Sequence, residues 1–212
     1  IEIANTGKVD SVRYISTQVG CANSNSIRPT QSGLFFIDDY NHAIMRYNSE
    51  GLANISQNNG FDKWMNDKFI SGDKEGRKER TFYDRNYNDV YFNFPSISLL
   101  FSEKLNKFMS FMNYGGASMM DNIGNRFVSI YNTTPSLGSL YINHEGDYNF
   151  FYTGYKPYYM EYRINPQFYM DKVFNNVEFR ADMTDMSKYN TTSPWDSTLK
   201  ESFTKLDVFN EY

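Results

Sequence analysis

Short runs of aromatic and aliphatic residues alternate with polar turns along much of the chain. Between Thr81 and Tyr114 four such runs follow one another: "TFYD", "DVYFNF", "SLLFSE" and "KFMSFMNY". The many aromatic side chains favour strands over helices, because they suit a pleated, half-buried surface. The pattern therefore predicts four consecutive antiparallel strands joined by short turns.

The same arrangement occurs twice. "FFIDDYNHAIMRY" (Phe35–Tyr47) aligns without a gap to "TFYDRNYNDVYFN" (Thr81–Asn93), and Asp38 then falls on Asp84, at an offset of 84 − 38 = 46 residues. Each copy reads as a strand, a polar turn and a second strand, with the acidic residue where the first strand ends. Four antiparallel strands with a period of about 40 to 50 residues are typical of a β-propeller blade. Chance similarity between two aromatic hairpins is the alternative.

A second pairing is weaker. It places Leu100 on Leu140, at an offset of 140 − 100 = 40 residues.

The best candidate for a short helix is Ser56–Phe69, because its large apolar residues lie near helical spacing: Phe61, Trp64, Met65 and Phe69. The segment Asn113–Asn125, with its glycines, is interpreted as a connection between blades.

These patterns predict an all-β fold of antiparallel four-stranded blades, a partial β-propeller-like segment of a larger chain, with long loops and one short helix. The predicted parts are a polar lead-in (1–32), repeated β-hairpins or blades (33–180), and a polar loop with a closing strand (181–212). Propellers close with about 4 to 8 blades, and this chain has room for at most three. We therefore expect a processed or excised fragment, whose missing blades come from the parent polypeptide or from a neighbour. The first residue, Ile1, and the strand-like end at Tyr212 agree with that expectation.

Composition narrows the classes of function. The net charge of -4 gives no basic surface for general nucleic-acid binding. Cys21 is the single cysteine, so neither an internal disulfide framework nor a CxxC zinc site is predicted. No apolar run approaches the ~18 residues of a transmembrane helix, so no membrane segment is predicted. No cofactor is predicted either.

The stretch "YDRNYNDVYFNF" raises the question of a calcium loop. Asp84, Asn86 and Asn88 fit the first three ligand positions of an EF-hand loop, but Asp89 stands at the glycine position and Pro95 at that of the closing glutamate. Asp and Asn side chains also favour turns, because they bond nearby backbone groups and tolerate left-handed geometry. The sequence therefore predicts a hairpin turn here.

Catalytic candidates are few. His42 and His144 fall between predicted strands, where exposed turn histidines are the simplest interpretation, and Cys21 has no histidine nearby. A glycoside hydrolase would need a pair of carboxylates in a pocket. The candidates for such a pair all lie at turn-like positions: Asp38, Asp39, Asp84, Glu103, Asp121, Glu145 and Asp147. We therefore predict no enzyme. A carbohydrate-binding propeller for host receptor recognition and, less favoured, a glycoside hydrolase are the alternatives.

One motif resembles a known family. The segment "DKVFNNVEFRAD" is similar to the K-[IV]-F-[DN]-N-[IV]-E-F-R-A-D signature of tail muzzle or stabilisation (nozzle) proteins of crAss-like gut bacteriophages. The resemblance extends from about Ser32 to Tyr212, and it includes the closing "KLDVFNEY". The residues of the signature segment are Asp171, Lys172, Val173, Phe174, Asn175, Asn176, Val177, Glu178, Phe179, Arg180, Ala181 and Asp182.

The resemblance implies a virion structural protein at the distal end of a short tail. Such proteins form a ring, hexameric in this family, that closes the tail channel and retains DNA and ejected proteins until infection. The implied partners are copies of the chain, other segments of the same parent polypeptide and other tail proteins, with DNA only in passage. The family signature contains no catalytic residues.

The tyrosine-rich stretch Gly154–Arg163 is the candidate for assembly contacts, because tyrosine offers a large rigid surface with a polar tip. The alternative is that half of these rings pack inside a blade. The candidate residues are Tyr155, Tyr158, Tyr159 and Tyr162.

Overall fold

The computed structural model describes residues 2–3, 9–11, 15–70, 79–134, 137–146, 150–152 and 154–156. All of them belong to the first of two units, Ile1–Tyr159, and the second unit, Met160–Tyr212, lies outside the described residues. The helices are α1 (Ile55–Asn58) and α2 (Asp62–Ile70), and Ser24–Ser26 form a 3-10 turn. The strands are β1 (Glu2–Ile3), β2 (Val9–Ser11), β3 (Arg28–Pro29), β4 (Leu34–Asp38), β5 (Ala43–Asn48), β6 (Gly51–Asn54), β7 (Arg80–Asp84), β8 (Asp89–Asn93), β9 (Ser98–Ser102), β10 (Lys107–Met112), β11 (Met119–Ile123), β12 (Arg126–Thr134), β13 (Leu137–Ile142), β14 (Phe150–Phe151) and β15 (Gly154–Tyr155).

Three antiparallel sheets dominate the described residues, and each is a meander of strands that are consecutive in the chain. The first sheet has the order β3-β4-β5-β6, the second β7-β8-β9-β10 and the third β11-β12-β13. Two small pairs, β1-β2 and β14-β15, complete the strand inventory of the described ranges. The predicted all-β, propeller-like fold is confirmed, with four strands in two of the sheets and three in the other.

The predicted repeat corresponds to equivalent positions in the first two sheets. β4 and β7 coincide at the offset of 46 residues, and Asp38 and Asp84 each end their strand. The pairing of Leu100 with Leu140 also holds in the topology, because β9 and β13 are each the third strand of their sheet. All four strands predicted between Thr81 and Tyr114 are present, as β7 to β10.

Two predictions need adjustment. The predicted helical segment forms two helices, α1 and α2, and the side chain of Asn54 caps the first by accepting from the Gln57 N–H at 3.0 Å. The segment Asn113–Asn125 was predicted as a connection, and that is wrong for Met119–Ile123, which forms β11. The reason is that β11 carries apolar and polar residues without strict alternation, so its pairing to β12 decides its structure rather than its own pattern.

Alternation sends neighbouring residues of each strand to opposite faces, and the core follows from that. On one side of β4, Phe35 packs against Phe92 and Phe101 of the second sheet, with ring centroids 6.1 and 5.6 Å apart. Helix α2 closes this layer with Met65, which is fully buried. The buried residues shared by the first and second sheets and α1 and α2 are Phe35, Ile37, Ile44, Ile55, Met65, Tyr83, Val90, Phe92, Phe94, Leu99 and Phe101.

The other face of the second sheet packs on the third. Tyr91 lies next to Phe92 in β8 but points the opposite way, and its ring contacts Tyr114 and Phe127 at centroid distances of 5.9 and 5.3 Å. Phe82 and Met120 belong to the same buried cluster. The second sheet is thus enclosed between the other two, as a blade is between its neighbours in a propeller.

Candidate functional site

The residues that the sequence put forward as sites lie almost entirely outside the described residues. This applies to the whole signature segment, Asp171–Asp182, and to Tyr158, Tyr159 and Tyr162. Tyr155 is in β15, where it pairs with Phe150 of β14. These assignments stay predictions. Among the described residues, polar side chains contact one another at a different place.

That place is the end of β7. Asp84 is fully buried, and its Oδ1 accepts a hydrogen bond from the Asn86 N–H at 2.9 Å, which closes the turn to β8. Asp38 does the same in the first sheet, where its Oδ1 accepts from the Tyr40 and Asn41 N–H groups at 3.1 and 3.0 Å. The acidic residue at the end of each copy is therefore a turn cap. The hairpin interpretation of the asparagine-rich stretch is confirmed, with Asn88 in the left-handed region at φ 59°.

Asp84 does more than Asp38, because it also bonds across to the third sheet. The Asn122 Nδ2 of β11 donates to Asp84 Oδ1 at 2.9 Å, and His144 Nε2 lies 3.1 Å from Asp84 Oδ2. Asn122 returns a bond through its Oδ1, which accepts from the Arg85 N–H at 3.0 Å. We call Asp84, Asn122, His144 and Tyr91 the polar junction. It fastens the turn end of the second sheet to two separate elements of the third.

The ring of His144 is held from several sides. It stacks on Phe127 with a centroid distance of 5.7 Å and an interplanar angle of 16°, and Tyr87 meets it edge-on at 5.2 Å. The Tyr91 hydroxyl lies 3.4 Å from the same Nε2 atom. The turn position of His144, at φ 64°, and the exposure of the residue as a whole are as predicted, but its side chain is only 28% exposed and bonds to Asp84. Sequence could not reveal this, because Asp84 is 60 residues away.

His42 also has defined contacts. Its Nδ1 lies 2.9 Å from the Asn66 Oδ1 of α2, and its ring stacks on Phe69 at 4.8 Å and 2°. Its backbone is again left-handed, at φ 51°. His42 therefore ties the β4-β5 turn to α2, as His144 ties the second sheet to the third.

The electrostatics of the polar junction favour a charged Asp84. Burial alone would raise the pKa of Asp84, but hydrogen bonds from His144, Asn122 and the Asn86 N–H outweigh it, so the pKa is lowered. The pKa of Asp89 is raised by burial and then by the charge of Asp84. Burial raises the pKa of Tyr91 as well and keeps its hydroxyl protonated. Asp84 therefore stays a carboxylate beside the protonated Tyr91 hydroxyl and the imidazole.

An aspartate-histidine pair is also a common arrangement for proton transfer, so its surroundings decide what it can do. Both groups that face Nε2, Asp84 and Tyr91, are buried at 0% and 1% exposure. Nε2 is therefore engaged with two buried groups of the second sheet. In this geometry the pair joins two sheets.

Three of the other carboxylates proposed as catalytic candidates, Glu103, Asp121 and Glu145, also have structural contacts. Asp121 forms an ion pair with Arg28 at 3.1 Å, which links the third sheet to the first. Glu103 accepts from the Ser32 N–H at 3.3 Å and from the hydroxyls of Thr30 and Ser32, which links the second sheet to the first. Glu145 pairs with Arg126 at 3.4 Å. Asp147 lies outside the described residues.

The described part of the chain shows neither a metal cluster nor a membrane-spanning helix. There, no three His, Cys, Asp or Glu side chains are grouped so that they could hold a metal ion. None of the helices within the described ranges is long and apolar enough to cross a membrane.

Comparisons with known proteins agree along the whole length. The family model described as "Crassvirus muzzle protein" matches residues 1–133, and "Crassvirus muzzle protein C-terminal domain" matches residues 146–212. A "Muzzle protein" of Bacteroides phage crAss001 is 38% identical over 218 residues, covering 100% of this chain and 15% of that relative. The chain thus spans about 15% of the length of the curated relative that it matches. On these matches, the chain belongs to the crassvirus muzzle protein family.

Proposed function

We propose that this chain is a non-enzymatic part of the muzzle at the distal end of a short phage tail. In this proposal, copies of the chain form a ring, six in number by family resemblance, that closes the tail channel and retains DNA and ejected proteins until infection. Membership of the muzzle family supports the coarser role, that of a structural protein of the virion. The observation that carries the proposal is the 38% identity to a muzzle protein along the entire chain.

The use of polar groups supports a structural rather than a catalytic role. Asp84, Glu103 and Asp121 each bond to a residue of another sheet. A buried carboxylate is costly unless it is hydrogen-bonded, and satisfied networks of this kind make the packing of elements specific. A tail closure must hold a defined shape under load, and fastened sheets suit that task.

The charge of the chain is compatible with a channel through which DNA passes. A net charge of -4 opposes phosphate binding, so DNA would slide without adhering. The direct partners in this proposal are therefore proteins: copies of the chain, other segments of the same polypeptide and other tail proteins.

Cross-linking mass spectrometry on purified virus particles tests the proposal. Lys104 and Lys107 flank the exposed turn between β9 and β10, so a lysine-reactive cross-linker reaches them. We expect links from this turn to other tail proteins, and links between two identical peptides, which only a second copy produces. Links to capsid proteins alone would contradict the position at the tail end. Peptides present in infected-cell lysate but absent from particles would contradict a virion role.

A further inference from the structure

The third sheet has one face on the second sheet and one face that is open. Its inner face supplies Met120 and Phe127 to the buried cluster with Tyr91. Alternation places the neighbours of these residues on the other side. There, four large apolar side chains stay exposed: Met119 at 51%, Ile123 at 64%, Leu140 at 62% and Ile142 at 39%. We call this side the open face.

The open face is continuous across the sheet. The register pairs Met119 with Ile130 and Ile130 with Leu140, so one apolar row crosses all three strands. The next row is Asp121, Val128 and Ile142, in which Val128 is buried at 8% exposure and the apolar side chains are those of β12 and β13. Scattered exposed apolar residues are ordinary, but a contiguous patch built on one sheet face marks an interaction surface.

The interface between the second and third sheets indicates which kind of structure would pack against the open face. Phe82 and Tyr91 of the second sheet pack against Met120 and Phe127 of the third, and alternate positions of each strand supply the contacts. The open face repeats this pattern, with apolar residues at alternate positions of adjacent strands. A twisted antiparallel sheet with its own apolar face therefore fits it best, because two such faces interdigitate at about 10 Å.

The outer face of the first sheet, at the opposite end of the three packed sheets, is less exposed than the open face. The outer face of the first sheet buries Phe36, Ala43 and Met45 at 9%, 2% and 5% exposure, with Val19 and Cys21 packed against them. Residues of the chain itself thus cover much of this face, and the third sheet has the more exposed one. Among the described residues, the three sheets therefore have one covered end and one open end.

We propose that the open face packs against a further antiparallel sheet from the part of the polypeptide that lies outside this chain. Two facts favour this source over a second copy or an unrelated protein. The chain spans 15% of the muzzle relative, so a polypeptide of that kind has ample length for more sheets. The three large sheets of the described residues are also fewer than the ~4 to 8 blades that close a propeller. The proposal rests on family membership and is independent of the ring and of channel closure.

Methionine oxidation tests the proposal with residues that the chain already has. Met119 lies on the open face, Met109 is equally exposed at 50% on β10, and Met120 is buried at 1%. Hydrogen peroxide converts an accessible thioether to the sulfoxide, and tandem mass spectrometry separates the adjacent sites. The isolated 212-residue chain and the complete muzzle polypeptide are oxidised at equal dose, each at micromolar and nanomolar concentration.

We expect Met119 to oxidise about tenfold more slowly in the complete polypeptide than in the isolated chain, at both concentrations, while Met109 agrees within about twofold. Met120 is slow in both samples. Equal Met119 rates in the two samples would overturn the proposal. Protection already present in the isolated chain at nanomolar concentration would overturn it too, because the chain's own residues would then be the cover. Protection in the complete polypeptide that is lost on dilution would identify a second copy instead.

A substitution gives a second readout. Leu140→Asp places a charge on the open face, and Leu105→Asp is its control, because Leu105 is exposed to 58% in the turn before β10. In the isolated chain both variants leave the melting temperature nearly unchanged. In the complete polypeptide we expect Leu140→Asp alone to lower it by several degrees, since a charge is then buried without a partner. Equal effects of the two variants there would contradict the proposal. A failure of the cross-linking test in virions leaves this result unaffected, so the two proposals are tested separately.

Discussion

The polar junction predicts that His144 stabilises the fold far more than its position in a turn suggests. The perturbation is His144→Asn, because asparagine tolerates the left-handed backbone at φ 64° and the loss then reports the ring itself. The matched control is His42→Asn. His42 shares the left-handed turn position, at φ 51°, and ring stacking, but it bonds to the neutral Asn66 instead of a carboxylate.

The expected magnitude follows from the contacts. The hydrogen bond from His144 Nε2 to the buried Asp84 carboxylate, at 3.1 Å, is of the charge-assisted kind, which contributes about 1.5–3 kcal/mol. Contacts of the ring with Phe127 and Tyr87 add about 0.5–1.5 kcal/mol. Since 28% of the His144 side chain is exposed, we expect the lower half of the sum, about 2–3 kcal/mol at pH 7. For His42→Asn we expect about 1 kcal/mol.

Urea unfolding followed by tryptophan fluorescence measures both variants, and the pH dependence gives a second check. The folded pKa of Asp84 is lowered, so its stabilisation is complete above the unfolded value of about 3.9 and is lost as the pH falls through the folded value. The deficit of His144→Asn should therefore shrink below about pH 4. A cost no greater than that of His42→Asn, or a deficit that stays undiminished below about pH 4, would refute the reasoning.

Three further predictions concern other parts of the chain. Gly115→Ala should lower the free energy of unfolding by more than about 2 kcal/mol, measured by thermal unfolding, because the added Cβ would lie 2.2 Å from Ile97 N. The control Gly20→Ala should change it by no more than about 0.5 kcal/mol, because nothing lies within 4 Å of that added Cβ. Asp121→Asn should lower the free energy of unfolding by less than about 1 kcal/mol in urea, although it removes the ion pair to Arg28, since both side chains are about one-third exposed. A larger loss would contradict the view that this ion pair is a weak surface contact. Burial raises the pKa of the Cys21 thiol, so its alkylation by iodoacetamide at pH 7 should be slower than that of the unfolded chain in urea, and equal rates would contradict the half-buried placement.

Local pattern was enough to predict the second sheet. Its strands are short runs rich in aromatic and aliphatic residues, its turns contain Asx residues, and Asp84 ends β7 as Asp38 ends β4. β11 could not be predicted in this way, because pairing to β12 stabilises a stretch whose own residues favour no state clearly.

The polar junction was only half predictable. The turn-capping role of Asp84 follows from neighbours in the sequence, since its acceptor Oδ1 binds the N–H two residues later. Its bond to His144 depends on how two sheets stack, and no local signal in a single sequence specifies that. The same holds for Tyr91, whose aromatic pattern gave its strand but not its hydroxyl contact with His144.

The meander topology has a consequence for how such a chain reaches its fold. In all three sheets every strand pairs with strands adjacent in the sequence, so the loops that must close are short. Folding rates fall as contacting residues become more distant in sequence, and local pairing avoids that delay. Each sheet has all its strands as soon as its own segment leaves the ribosome, and it can then serve as the surface on which the next one condenses. A very long muzzle polypeptide built this way would fold progressively from its N-terminal side, and little of it would wait unpaired for a distant partner.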